Sequence, residues 1–356
     1  MSKTFIHPAM LPAPFRSPQT LRQAFVSGLE RLLHQPGLGV YILVHANASF
    51  DGEIFEQLRL PLRQRFAQLA ESSREALSNG RELVGAGDDQ AVFLKLMAIG
   101  FDGVQLTQFR REEVWELQFN HIRAFRPPRM AQTAVMGLHQ PFNPDGFHFN
   151  KPFLRKEVFW AGDLLGLEVE LLYNKFPFAP LHGLLVPERN SREPQYLSHP
   201  YHLFVWALTQ AMAEYLPGVG FAYNSYGAFA SVNHLHFQLF VRDTPLPVTL
   251  EHWRHNGGTH DYPMECEVYT SAGEAWQRLE ALHRDEISYN LLYLPDRLYC
   301  LPRKTQGCYA HSPWTSGFAW YEVSGGVTTF NRTDYETLDG AAIRQELRKL
   351  RIGDLA

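Results

Sequence analysis

The chain has 356 residues, 45% hydrophobic and 20% charged, with a formal net charge of −4. This is the composition of a soluble globular protein with room for a sizeable core, and it excludes a global basic field for nucleic acid. Runs such as VYILV and LFVWAL are too short to cross a bilayer, the N-terminal MSKTFIHPAMLPAPFRS has no apolar signal-peptide core, and Cys266, Cys300 and Cys308 form no CxxC pair; these features predict a cytoplasmic protein with reduced thiols.

In chain order, the spacing of apolar residues predicts a helix over 18–34, stopped by PGLG, and a buried strand over VYILVHA (40–46). A long amphipathic helix is expected over 54–79, a shorter one over 88–101, and a hairpin over 103–125. Residues 126–152 lack a regular pattern and read as a functional loop. Two strands around a Gly turn follow over 157–177. HGLLVPER (182–189) is a short buried strand ended by Pro187. A helix is expected over 195–216, and two more strands over GFAYNSYG (220–227) and SVNHLHFQLFV (231–241). The antiparallel logic of this order predicts an α+β fold. In the last third, YNLLYLPDRLYCLPRK (289–304) echoes YNKFPFAPLHGLLVPER (173–189), which suggests a degenerate tandem repeat. SGFAWYEV and GGVTTF then supply strands, and 332–351 a closing helix. The division expected is an N-terminal extension over 1–130, an active half over 131–245 and a degenerate half over 246–356.

The chemistry concentrates in NHLHFQ. Read as a strand, it puts His234, His236 and Gln238 on one face and Leu235, Phe237 and Leu239 on the other. Alternate strand residues lie roughly 7 Å apart, so three polar side chains can surround one phosphoryl group. A neutral imidazole is a competent nucleophile near neutral pH, and an amide can donate to a phosphoryl oxygen as charge builds. Gln238 cannot act as a base, so this trio suits an anionic acceptor better than water. Two other readings stand beside this one. His-x-His is a common metal pair, but no third ligand follows closely, and no metal or cofactor is expected. The histidines could also be core residues satisfied by backbone groups.

The segment ASVNHLHFQ resembles the modified histidine-triad signature of the nucleotidyltransferase branch of the HIT superfamily. Within that branch, the GDP-hexose phosphorylases share its S-x-N-H-L-H-F-Q pattern. NKFPFAPLHGLLVPER, FHFNKP, and SGFAWYEV followed by RTDYE resemble further segments of the same enzymes. The resemblance spans roughly residues 140–350 and leaves the first 130 unplaced. It implies a HIT/GalT-like antiparallel sheet with packed helices, acting on a nucleotide sugar and inorganic phosphate through a nucleotidyl-histidine. By position it implies His236 as nucleophile, His234 as its orienting neighbour and Gln238 as the residue that marks transferases. It places Ser231 and Asn233 near phosphate, and Asn174, where the family usually has Asp, at the ribose. Lys151, Asn224 and His182 are further binding candidates. Each has a plain reading too: a turn for Asn174, a solvated surface for Lys151, a core position for His182 and a strand end for Asn224. Arg189 and Arg303 end apolar strands, where arginine is often merely solvated. A dinucleoside polyphosphate phosphorylase, a hexose-1-phosphate uridylyltransferase and a non-catalytic nucleotide-binding protein are the alternatives. The resemblance leaves room for a homodimer and implies no membrane or nucleic-acid partner.

Overall fold

The computed structural model describes residues 11–126, 135 and 137–353. Part of the expected loop over 126–152, and most of the N-terminal segment read for a leader, lie outside the described residues. Four helices come first: α1 (Pro18–Leu33), α2 (Leu38–Phe50), α3 (Gly52–Ser78) and α4 (Gly87–Ile99). The structure corrects the expected strand at VYILVHA, because α2 runs through it. This helix packs against α1, α3 and α4 and is buried on every side. A helix with no polar face loses the stripe that identifies it, and its β-branched run then imitates a buried strand.

The hairpin forms as expected from β1 (Gln108–Glu112) and β2 (Trp115–Phe119), followed by a short helix, α5 (His121–Ala124). The β2 strand also pairs in parallel with β11 (Gly326–Thr329) from the far end of the chain, making a three-stranded sheet. SGFAWYEV is not a strand. It leads into a single helical turn, α8 (Trp320–Val323), in which the Glu322 carboxylate accepts from the Ala319 N–H at 3.1 Å. The expected closing helix is broken into α9 (Arg332–Thr337) and α10 (Gly340–Arg348), with Asp339 capping the second.

The main sheet has eight strands: β3 (Val158–Leu164), β4 (Leu167–Tyr173), β5 (Gly183–Pro187), β6 (Val219–Asn224), β7 (Phe237–Val241), β8 (Glu267–Tyr269), β9 (Ser288–Leu294) and β10 (Arg297–Arg303). Their order is β3-β4-β5-β7-β6-β9-β10-β8, and every neighbouring pair is antiparallel. Two helices complete the pattern, α6 (His199–Ala213) and α7 (Ala272–Arg284). A β-α-β-β unit therefore occurs twice, as β5-α6-β6-β7 and as β8-α7-β9-β10. The two units meet back to back at the β6–β9 pair. The repeat is aligned differently from the sequence echo. Residues 289–304 form the β9–β10 hairpin, whose counterpart is β6–β7 and not 173–189.

One face of this sheet is covered by helices: Phe221, Tyr223, Phe237, Leu239, Leu291 and Cys300 share a core with residues of α1, α6 and α7. The other face carries two separate apolar clusters. One joins Ala222, Phe240, Leu292 and Leu301 to Trp115, Phe178 and Trp320. The other joins Leu172 and Val186 to Phe149 and Leu154 of the loop preceding β3. The polar residues of interest lie in the seam between these clusters. Among the described residues, no helix is long and apolar enough to cross a membrane.

Candidate active site

The strand expected over 231–241 begins only at Phe237. The β6–β7 ladder ends with Ala222 opposite Gln238. Beyond it, the chain from Asn233 to His236 leaves β6 and runs beside residues 193–195. The Leu235 N–H donates to the Glu193 carbonyl at 2.9 Å, and the Gln195 N–H donates to Asn233 Oδ1 at 2.9 Å. Strict strand alternation therefore does not place the two histidines. They face the same side because both rings pack on Phe149, at 5.5 Å for His234 and 5.2 Å for His236.

Hydrogen bonds assign the ring tautomers. His236 Nδ1 lies 2.8 Å from the His234 carbonyl, which can only accept, so Nδ1 carries the proton and Nε2 keeps its lone pair. Burial pushes its pKa down to about 4, so the ring is neutral near pH 7. His234 Nδ1 accepts from the Phe149 N–H at 3.2 Å, which leaves the proton on Nε2, a buried atom with no hydrogen-bond partner among the described residues. Burial, reinforced by His236 and His148, lowers its pKa to about 4 as well.

Gln238 is fixed by two donors on one oxygen. Trp320 Nε1–H donates to Oε1 at 2.8 Å and His182 Nε2–H at 2.9 Å. The His182 tautomer follows from its other nitrogen, which accepts from the Phe178 N–H at 3.3 Å. Burial holds the His182 pKa near 3. With Oε1 occupied on both sides, the amide cannot flip without setting N–H against N–H. Its NH2 group therefore points away from these two donors.

His182, expected as a binding or core residue, is thus a fully buried support for Gln238. Asn174 is half-buried and closes the turn, its Oδ1 accepting from the Phe176 N–H at 3.1 Å, with its amide nitrogen 3.3 Å from His182. Asn224 ends β6, where its Oδ1 accepts from Asn290 Nδ2 at 2.7 Å and the Trp320 N–H at 3.0 Å. Asn233 commits both amide protons to the carbonyls of Gln140 and Pro141, at 3.1 and 2.9 Å, pinning the loop that carries Phe149. Ser231 is exposed at the rim. Lys151 ends the same loop, its Nζ 3.3 Å from the Pro144 carbonyl. Arg189 is buried in an ion pair with Glu170 at 2.6 Å. Arg303 is also buried, and its guanidinium donates to Asn290 Oδ1 at 3.3 Å, the Tyr309 hydroxyl at 2.6 Å and the Phe318 carbonyl. Sequence reasoning did not single out Gln195, Trp320, Asn290 or Phe149, although Trp320 stands in SGFAWYEV, Phe149 in FHFNKP and Asn290 in the 289–304 echo. Among the described residues, no group of three or more His, Cys, Asp or Glu is placed to hold a metal ion.

Residues 115–240 match the family model described as GDPGP1-like, N-terminal domain. GDP-D-glucose phosphorylase 1 of Danio rerio is 34% identical over 109 residues, covering 30% of this chain and 31% of that protein. The Homo sapiens protein of the same name is 33% identical over 134 residues, covering 35% and 32%. The chain therefore matches about a third of the length of these curated relatives. A crystal structure of yeast Ap4A phosphorylase Apa2 in complex with Ap4A aligns with a TM-score of 0.44 at 18% identity, over 75% of this chain and 98% of that one. The stretch matched by that family model, Trp115 to Phe240, contains the whole HxHxQ signature.

Proposed function

We propose that this protein is a nucleotidyltransferase that cleaves a nucleoside diphosphate hexose by phosphorolysis, with a GDP-hexose as the first substrate to test. The observation that carries the reading is the His236 tautomer: a neutral ring whose Nδ1–H is held by the His234 carbonyl and whose Nε2 lone pair is free to attack. Attack of Nε2 on the α-phosphorus forms an N–P bond and breaks the bond to the bridging oxygen. Hexose 1-phosphate leaves with that electron pair. The ring becomes cationic as the bond forms, and the 2.8 Å bond to the carbonyl is well placed to stabilise that charge. The Gln238 NH2 group would donate to a non-bridging oxygen at the same moment. Inorganic phosphate then attacks the phosphoramidate, forms a nucleoside diphosphate and returns the lone pair to Nε2. The choice of guanine, glucose and phosphate rests on the names of the relatives.

Incubating the protein with phosphate and a panel of nucleotide sugars and dinucleoside polyphosphates, with products read by mass, tests this. Turnover of a GDP-hexose is expected. Without phosphate, an acid-labile nucleotide adduct should form on His236, and it should be absent from His236→Ala. Turnover confined to dinucleoside polyphosphates would replace the substrate class. Full turnover by His236→Ala would overturn the mechanism.

A further inference from the structure

We infer that Gln195 is a positioning residue for His236, a role that rests on the reading of His236 as nucleophile. Continued in register, the β6–β7 ladder would bring Tyr223 opposite Phe237 and Asn224 opposite His236. The Gln195 side chain occupies the place of that second pair. Its Oε1 accepts from the His236 N–H at 2.9 Å, and its Nε2 donates to the Asn224 carbonyl at 2.9 Å and the His236 carbonyl at 3.3 Å. A primary amide here does what a peptide group would do, but from the side, so the strand bends away at His236 without leaving backbone groups unpaired. Gln195 is itself locked. It is 1% exposed, its N–H donates to Asn233 Oδ1 at 2.9 Å and its carbonyl accepts from the Tyr223 hydroxyl at 3.1 Å. The wedge thus sets where the His236 backbone leaves the sheet, and so where its ring and the His234 carbonyl meet.

The wedge makes two demands, a filled volume and an amide with both an acceptor and donors, and two variants separate them. Gln195→Met keeps most of the volume and removes every hydrogen bond. Gln195→Glu keeps the shape and the acceptor, but sets a carboxylate against two carbonyl oxygens. In Gln195→Met, single-turnover adduct formation should fall by about 100-fold, the loss expected for misplacing a reacting group by about 1 Å, while nucleotide affinity stays within about threefold of the parent. In Gln195→Glu, the rate relative to the parent should climb as pH falls from 8 to 5.5, because the protonated acid regains one donor. A parent-like rate in Gln195→Met, or an unchanged pH profile in Gln195→Glu, would overturn the assignment. Carbethoxylation of His236 by diethylpyrocarbonate, read on the peptide by mass, needs no substrate. If the parent forms no adduct with any nucleotide, the proposed function has failed and this measurement still tests the wedge. Faster modification in Gln195→Met supports it, and an equal rate in both proteins refutes it.

Discussion

Gln238→Glu isolates what the amide nitrogen contributes, because it changes one NH2 group to oxygen at constant shape. The carboxylate can still accept from Trp320 Nε1 and His182 Nε2, the two bonds at 2.8 and 2.9 Å that hold the side chain. Its second oxygen takes the direction of the lost NH2. Two terms then oppose phosphoryl transfer. A hydrogen bond to a charged oxygen is lost, worth about 1.5–3 kcal/mol. A carboxylate also faces an anionic phosphoryl group, which at about 4 Å and an effective dielectric near 20 costs roughly 4 kcal/mol. Together these raise the barrier by about 5–7 kcal/mol, a slowing of roughly 10⁴- to 10⁵-fold at 1.36 kcal/mol per decade. The assay is rapid-quench formation of the protein–nucleotide adduct in the absence of phosphate, at saturating nucleotide sugar, with melting temperature as the control for folding. A variant within tenfold of the parent would refute the placement of the amide nitrogen at the reacting phosphorus.

Three further outcomes follow from particular contacts. Asn174→Ala removes the bond that closes the turn before Phe176, so stability should fall by about 1 kcal/mol. If the residue also holds ribose, affinity should fall for ribonucleotides but not for 2′,3′-dideoxy analogues, and an equal fall on both would leave only the turn. Glu116→Leu strands Arg242, which pairs with Glu116 at 2.8 Å in a largely buried site linking β2 to the end of β7. Thermal or urea unfolding should show a loss of about 3 kcal/mol, much of it restored by adding Arg242→Met, and a loss under 1 kcal/mol would count against a buried pair. Burial depresses the pKa of His45 and His182 to about 3 and that of His236 to about 4, so the folded state binds fewer protons than the unfolded chain, whose histidines titrate near 6.5. The stability they contribute is complete above pH 6.5 and is lost as pH falls toward 4 for His236 and toward 3 for His45 and His182; a melting temperature flat between pH 7 and 5 would contradict their burial in neutral form.

The sequence made the strands on either side of the seam legible because their apolar residues alternate or run together between clear turns. VYILVHA misled because burial on all sides erased the helical stripe of α2. SVNHLHFQLFV misled in a more useful way. Its alternation is real, but the ladder ends at Gln238 because a side chain from a distant loop interrupts it. Alternation is a local property, whereas strand pairing depends on a neighbour 41 residues away, and no pattern within NHLHFQ reports that neighbour. For the same reason His236 and Gln238 could be picked out by type, while Gln195 could not. A loop glutamine carries no signature until the fold supplies its partners.

The electrostatics of the seam bear on which acceptor it suits. Around His236 and Gln238 the supporting groups are neutral: His182 and His234 are held uncharged by burial, and Trp320 and Asn224 carry no charge. Behind them sit two guanidinium groups whose hydrogen bonds go to neutral partners. Arg303 bonds to Asn290, Tyr309 and a carbonyl. Arg123 donates to the Phe176 carbonyl at 2.7 Å and lies 4.7 Å over the Phe178 ring. Burial brings Arg123 down only to about 10, so it stays charged at neutral pH. The carboxyl group of Glu322, which interacts with both cations, is itself raised by burial. With His236 as the proposed nucleophile, such a site favours an anion beside it but gives water little help in losing a proton. A phosphate dianion arrives already charged and already nucleophilic. The balance of a neutral amide in front and cations behind therefore supports transfer to an anionic acceptor over hydrolysis.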